Sequence, residues 1–224
     1  MIRFRRGTSR LTSRAASARA KAATSSTTAT LPRERWTGCA AGRAQHDKPW
    51  VLYSSFISPH SPLIAPPEFY ALYSARDIEL PTKRAPYHPW IKAWNDCYGF
   101  DSYFESDDQR RIAIASYYGL CSFLDSNVGK ILLALEETGL AHTTKVVFLS
   151  DHGDNLGSRA LWGKSTMYEE SAGVPMVASG PGVAVGRRVR TPVSHVDCYP
   201  SIMQTVGAGG LTPADLPGRS IFDI

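Results

Sequence analysis

The sequence predicts an α/β fold, and three observations carry that reading. A β-branched run, Val146-Val147-Phe148-Leu149, stops abruptly at Asp151-His152-Gly153-Asp154. Before it, Tyr117, Leu120, Leu124, Val128, Ile131 and Leu135 recur at three- and four-residue spacing, the signature of one apolar helix face. After it, a second apolar run from Val174 to Ser179 ends in Gly180-Pro181-Gly182. Apolar runs of strand length alternating with a helical pattern read as a sheet with helical connections.

The elements follow in order. Order is expected to begin near Lys48-Pro49, and Trp50 to Phe56 (WVLYSSF) has the length and aromatic character of a buried strand. It runs into Ile57-Ser58-Pro59-His60-Ser61-Pro62, a loop stiffened by two prolines. Residues 76–104 mix Pro, aromatics and charges without a clear period and read as a long surface excursion beside a substrate entrance. The helical pattern spans Gln109 to Leu140, with Gly139 as its stop signal. The strand at Val146 and the Asp-His-Gly-Asp loop come next, then the run at Val174. His195-Val196-Asp197 precedes Tyr199-Pro200-Ser201-Ile202-Met203, which opens a further helix. No internal repeat is visible.

Composition narrows the function classes. A chain of 224 residues, 43% hydrophobic and 20% charged, can build one substantial core. The net charge of +5 is unevenly placed. Residues 1–45 hold ten Lys/Arg against Glu34 alone, whereas the rest holds 15 Lys/Arg against 19 acids. The basic balance therefore belongs to a head (residues 1–47) and the body is mildly acidic, which argues against a nucleic-acid role. The head is rich in Arg, Ala, Ser and Thr, a composition like that of organelle transit peptides; the preferred reading is a disordered extension or a segment foreign to the domain at 48–224. No apolar run reaches membrane-spanning length. Four scattered cysteines without a C-x-x-C pair point away from a disulfide or zinc scaffold and toward a reducing, cytoplasmic setting. Oligomeric state is not legible.

The chemistry gathers after the strand. In open α/β sheets ligands collect at the carboxyl ends of strands, where Asp151 and His152 fall. A carboxylate beside an imidazole, with Gly153 for a close turn, suits a divalent cation; the same tripeptide reads equally as a loop turn with no metal. Asp154 suits a supporting position or the cap of a following turn. Lys164 brings a positive charge within reach of an anionic ligand, and metal plus lysine together would stabilise charge building on phosphate or sulfate oxygens.

Several ordered strings share one resemblance: Ser58-Pro59-His60-Ser61-Pro62, Phe123-Leu124-Asp125-Ser126-Asn127-Val128-Gly129, Ser150-Asp151-His152-Gly153-Asp154, Gly163-Lys164, Glu170-Ser171-Ala172-Gly173-Val174-Pro175-Met176 and Ser194-His195-Val196-Asp197-Cys198-Tyr199-Pro200-Ser201. Together they resemble the sulfatase family of the alkaline phosphatase superfamily, over most of residues 48–222. The Asp-His pair with the lysine 13 positions on is most similar to the branch of choline-sulfatases and phosphonate monoester hydrolases. The resemblance implies a partial alkaline-phosphatase-like sandwich, with a mostly parallel sheet flanked by helices. It implies metal-dependent hydrolysis of a small sulfate monoester, with a phosphonate or phosphodiester substrate as the alternative. Asp151 and His152 match two metal ligands, for Ca²⁺ first and Mn²⁺ or Mg²⁺ after it. Lys164 matches the lysine on the sulfate and leaving-group oxygens, and His60 the histidine that protonates the leaving oxygen. His195, Asp197 and Asp125 are expected in structural, packing or capping roles. Trp90, Trp94, Tyr98 and Tyr87 could face a quaternary ammonium substrate, though packing of the excursion is the preferred reading.

One part of the pattern is missing. The family's nucleophile is formylglycine, made within C/S-x-P-S-R, and no such motif occurs. The nearest string, Cys39-Ala40-Ala41-Gly42-Arg43, lacks Pro and Ser and is expected to be coincidental. The acidic pair that supplies further metal ligands also has no counterpart before residue 48. The chain is thus expected to hold the middle of such a domain, and a non-catalytic remnant is the competing expectation.

Overall fold

The computed structural model describes residues 48–82 and 88–224. The basic head, Cys39 and its neighbours, and Tyr87 lie outside the described residues.

A single long helix organises the rest. α3, Asp107–Glu137, is preceded by two shorter helices, α1 at Pro67–Tyr70 and α2 at Pro89–Tyr98. Ser106 caps α3, its hydroxyl accepting from the N–H of Gln109, and Asp107 and Asp108 place negative charge on the first turn. The far end stops as its glycine predicts: Thr138 is the C-cap, and Gly139 takes φ +70°. The buried stripe is broader than the sequence spacing suggests. Leu120 is buried as expected, but so are Ile114, Ala115, Ser116, Gly119, Asn127 and Ala134, which extend round the helix beyond one face. Asp125 is exposed at mid-helix and so neither packs nor caps.

Residues 63–78 lie along the first half of α3 and fix the chain that follows His60. Ser116 Oγ accepts from the N–H of Ala65 at 3.1 Å and donates to the carbonyl of Leu63 at 2.7 Å. Phe69 meets Phe123 edge-on, with ring centroids 5.3 Å apart. Gly119 makes this approach possible: a Cβ there would sit 2.8 Å from that of Ala65.

β1, Val146–Leu149, matches the predicted strand, and β2, Met176–Ser179, takes the second half of the second apolar run. They pair antiparallel, Val146 opposite Ser179 and Leu149 opposite Met176. The α/β class stands, but this antiparallel pair is the one ladder among the described residues, so the expected parallel sheet has no strand pair here. The run at Trp50–Phe56 forms no strand either. Val51, Leu52 and Tyr53 are 55%, 51% and 86% exposed. A strand is held by ladder partners and a covered face, and this segment has neither among the described residues.

The surface excursion is more regular than expected. Pro89 opens α2, the His88 side chain accepts from the N–H of Trp90, and Gly99 closes the helix at φ +52°. These are the Pro-first, Gly-last signals of a helix. A turn at Phe100–Tyr103 then brings Asp101 to a central position. Asp101 accepts from Arg110 Nε and Nη2 at 2.9 and 2.8 Å and from Trp162 Nε1 at 2.9 Å. Phe104 packs on Trp162 at 4.4 Å between centroids. Trp162, 6% exposed, and Leu161, fully buried, thus tie the excursion and α3 to the loop that follows β1.

Candidate active site

β1 ends at Leu149, and the loop turns at once. Ser150 Oγ donates to the carbonyl of His152 at 2.9 Å, and the N–H of His152 donates to Asp151 Oδ1 at 3.0 Å. The N–H of Gly153 donates to the carbonyl of Ser171 at 2.8 Å, docking the loop against α4, Glu169–Ala172. Glycine is required there, because a Cβ would lie 2.1 Å from the carbonyl oxygen of Glu170.

These bonds fix the chemistry of His152. Its Nδ1 lies 2.8 Å from the carbonyl of Gly153, an oxygen that only accepts, so Nδ1 carries the hydrogen. In the neutral ring Nε2 is then the lone-pair nitrogen, the state of a metal-ligating imidazole. Nε2 stands 3.5 Å from Asp151 Oδ2. Two Lewis-basic atoms therefore converge on one space, and the Asp151 side chain is 85% exposed toward solvent. Burial alone would raise the Asp151 carboxyl, but His152, backbone N–H groups and Lys164 together hold it below the usual aspartate range. The donor set fits one side of a hard or borderline divalent cation. Among the described residues no cluster of three or more His, Cys, Asp and Glu side chains surrounds a single point, so Asp151 and His152 offer two donor atoms and not a closed cage.

His60 and Lys164 complete the arrangement. The prolines that flank His60 both follow cis peptide bonds, Ser58-Pro59 and Ser61-Pro62, and the N–H of His60 donates to the carbonyl of Ile57 at 2.9 Å. The His60 Nδ1 donates to the carbonyl of Ser61 at 2.8 Å, again leaving Nε2 as the acceptor. That nitrogen accepts from Lys164 Nζ at 2.8 Å. The His60 ring meets the His152 ring edge-on at 6.1 Å between centroids. All four residues singled out in the sequence, His60, Asp151, His152 and Lys164, thus lie together. They present a carboxylate, two oriented imidazoles and an ammonium group, suited to an anion bridged by a cation.

The neighbouring candidates take other positions. Asp154 Oδ1 accepts from the N–H groups of Leu156 and Gly163, the turn-forming role of its two alternatives. His195 Nε2 donates to the carbonyl of Ser150 at 2.7 Å, bracing the end of β1. Asp197 accepts from the N–H groups of Ser194 at 2.7 Å and Arg219 at 2.9 Å. Those two bonds hold its carboxyl below the usual range. Trp94, Tyr98 and Phe100 pack on one another at 5.2 to 5.9 Å between centroids, within the excursion and not onto the sheet, and Trp90 and Tyr98 are exposed. Sequence reasoning passed over Asn155, which is 1% exposed; an Asn just past an acidic loop carries no signal of burial.

The family model described as Sulfatase matches residues 33–208. The chain belongs to the sulfatase family. The choline-sulfatase of Rhizobium meliloti (strain 1021) is 35% identical over 167 residues, covering 71% of this chain and 32% of the relative. The multifunctional alkaline phosphatase superfamily protein PehA of Trinickia caryophylli is 30% identical over 197 residues, covering 80% of this chain and 38% of the relative. Among solved structures, the phosphonate monoester hydrolase of Silicibacter pomeroyi superposes with a TM-score of 0.74 at 28% identity, over 84% of this chain and 39% of that one. The chain therefore spans about a third of the length of the curated relatives it matches. Sulfatases as a family use a divalent metal and formylglycine and act on sulfate esters. No helix among the described residues is long and apolar enough to cross a membrane.

Proposed function

We propose that this sulfatase-family chain carries the cation-binding and leaving-group side of a sulfuric ester hydrolase site. The observation that supports it is the Lys164–His60 contact beside the paired Oδ2 of Asp151 and Nε2 of His152. Asp151 and His152 would hold the divalent cation, Ca²⁺ first, which when bound supplies positive charge to the sulfate oxygens. Lys164 donates to those oxygens from the opposite side, a charge-assisted bond stronger than its present one to a neutral imidazole. His60 holds Nδ1–H on the Ser61 carbonyl, so only Nε2 is free to carry a proton to the leaving alcohol oxygen. An anion placed between Lys164 and His60 would draw the ammonium away and favour a proton on Nε2.

Formylglycine does not fit the sequence given: the 224 residues contain no C/S-x-P-S-R string. The attacking group is therefore not assigned to any residue described. The second reading is a chain that binds the ester without turning it over. The likeness to a phosphonate monoester hydrolase favours a phosphonate or phosphodiester as the alternative ester.

The test is binding and turnover of p-nitrophenyl sulfate, choline sulfate and a phenylphosphonate monoester, with and without Ca²⁺ or Mn²⁺, beside Asp151→Ala. Cation-dependent binding of a sulfate ester, lost in the variant, supports the proposal; binding indifferent to both overturns it. Turnover lost in Asp151→Ala would rule out the non-catalytic reading and make Cys39 the first nucleophile to replace. Preference for the phosphonate would exchange the ester class while keeping the site.

A further inference from the structure

Lys164 is a flexible side chain on a loop, yet the backbone that carries it is held tightly. Gly163, immediately before it, is bound at both of its backbone polar groups. Its N–H donates to Asp154 Oδ1 at 3.0 Å. Its carbonyl accepts from the backbone N–H of Asn155 at 2.8 Å and from Nδ2 of Asn155 at 2.6 Å. The Oδ1 of Asn155 then accepts from Thr166 Oγ1 at 3.2 Å, beyond Lys164 on the other side. Asn155 and Thr166 are 1% and 6% exposed, so water does not replace these bonds.

The backbone between the two clamped ends is unusual. Leu156, Arg159, Ala160 and Ser165 all have positive φ, at 45°, 57°, 58° and 79°. Side chains other than glycine's disfavour that region, and such residues persist where the surroundings over-determine the chain. Here all four lie between His152 and Thr166, Ser165 being the residue after Lys164. The clamp closes the ends of this stretch, while other bonds, among them Arg159 N–H to the carbonyl of Thr82 at 3.1 Å, hold its middle. Asp154 follows His152 by two positions, so the dipeptide that leaves the cation site also grips the lysine's backbone.

We propose that Asp154 and Asn155 are positioning residues that seat Lys164 against His60, and hence against the sulfate, by clamping Gly163. The inference rests on the reading of Lys164 given above. Neither side chain touches the anion; each acts on the lysine through the backbone. The separation of cation ligands and lysine is then set by three short bonds and not by a free loop.

The experiment compares the full chain with Asp154→Asn, Asp154→Ala and Asn155→Asp, with Lys164→Ala as the reference for a lost contact. The imidazole ¹⁵N resonance of His60 Nε2, recorded above the ordinary histidine range, reports whether Lys164 still donates to it. Asp154→Asn keeps an acceptor at Oδ1 and retains the original resonance. Asp154→Ala and Asn155→Asp move it to the position seen in Lys164→Ala, and half-saturation by inorganic sulfate rises about tenfold. Folded Asp154→Ala and Asn155→Asp proteins that keep the His60 resonance overturn the inference. Where Asp154→Ala does not fold, Asn155→Asp and Thr166→Val, which are closer in volume, decide in the same way. If the unaltered chain binds no sulfate, the functional reading fails while the His60 resonance still decides the clamp.

Discussion

The Nζ of Lys164 lies 2.8 Å from the Nε2 of His60, although 104 positions of chain separate them. The contact is exposed, and an exposed donor–acceptor pair adds little to stability. Its value lies in the anion the two groups can share. Lys164→Met is therefore expected to change unfolding free energy by less than about 0.5 kcal/mol. The same variant is expected to weaken sulfate binding by roughly tenfold or more, the worth of one charge-assisted bond. Chemical denaturation and calorimetric titration separate the two effects.

Gly153→Ala tests the docking of the ligand loop on α4. The new Cβ would fall 2.1 Å from a backbone oxygen, which cannot swing aside as a side chain would. Overpacking of this kind costs about 1–3 kcal/mol and shifts the backbone that carries Asp151 and His152. A lowered denaturation midpoint with weakened Ca²⁺ or Mn²⁺ binding is expected; unchanged binding would place the cation elsewhere.

Asp101→Ala tests the tie between the aromatic excursion and the Trp162 loop. Asp101 accepts from Arg110 and from Trp162, and the Arg110 side chain is only 12% exposed. Its loss leaves the indole N–H unpaired and the largely buried guanidinium with only Asp107 and the residue 101 carbonyl, at about 2–3 kcal/mol. Trp162 fluorescence is expected to shift to the red in the variant as water reaches the ring.

Asp197 predicts a pH effect of defined sign. The N–H groups of Arg219 and Ser194 favour its ionised form, so its folded pKa lies below the unfolded one. The stability this contributes is present above the ordinary aspartate pKa, about 3.9, and is lost as pH falls through the lower folded value. Asp197→Asn keeps one acceptor for two donors and is expected to cost about 1–3 kcal/mol at neutral pH. The cost shrinks in acid, so denaturation midpoints of the two proteins should approach each other as pH falls below 4.

Much of this arrangement was legible in the residues. The β-branched run ending in Asp-His-Gly marked β1 and put Asp151 and His152 at its end, although that tripeptide alone read equally as a loop turn with no metal. The 3.6-residue period marked α3, and Gly139 marked its end. What escaped was long-range or polar. Nothing in Trp50–Phe56 says that its ladder partners are absent from the described residues. The hub at Asp101 joins residues from three segments, and the Asn155 clamp depends on burial that a polar residue does not announce. Helix α2 had its Pro and Gly boundary signals, but they stood among prolines, aromatics and charges that read as a surface excursion.

The most direct test of the account is the coupling between cation and anion. Sulfate titrations with and without saturating Ca²⁺ measure it, and the reverse titrations must give the same factor. If Asp151 and His152 hold the cation while Lys164 and His60 meet the anion, each ligand tightens the other in the unaltered chain. That coupling is then lost in Asp151→Ala, and sulfate affinity falls in Lys164→Met. Sulfate binding that is indifferent to Ca²⁺, to Asp151 and to Lys164 would contradict it.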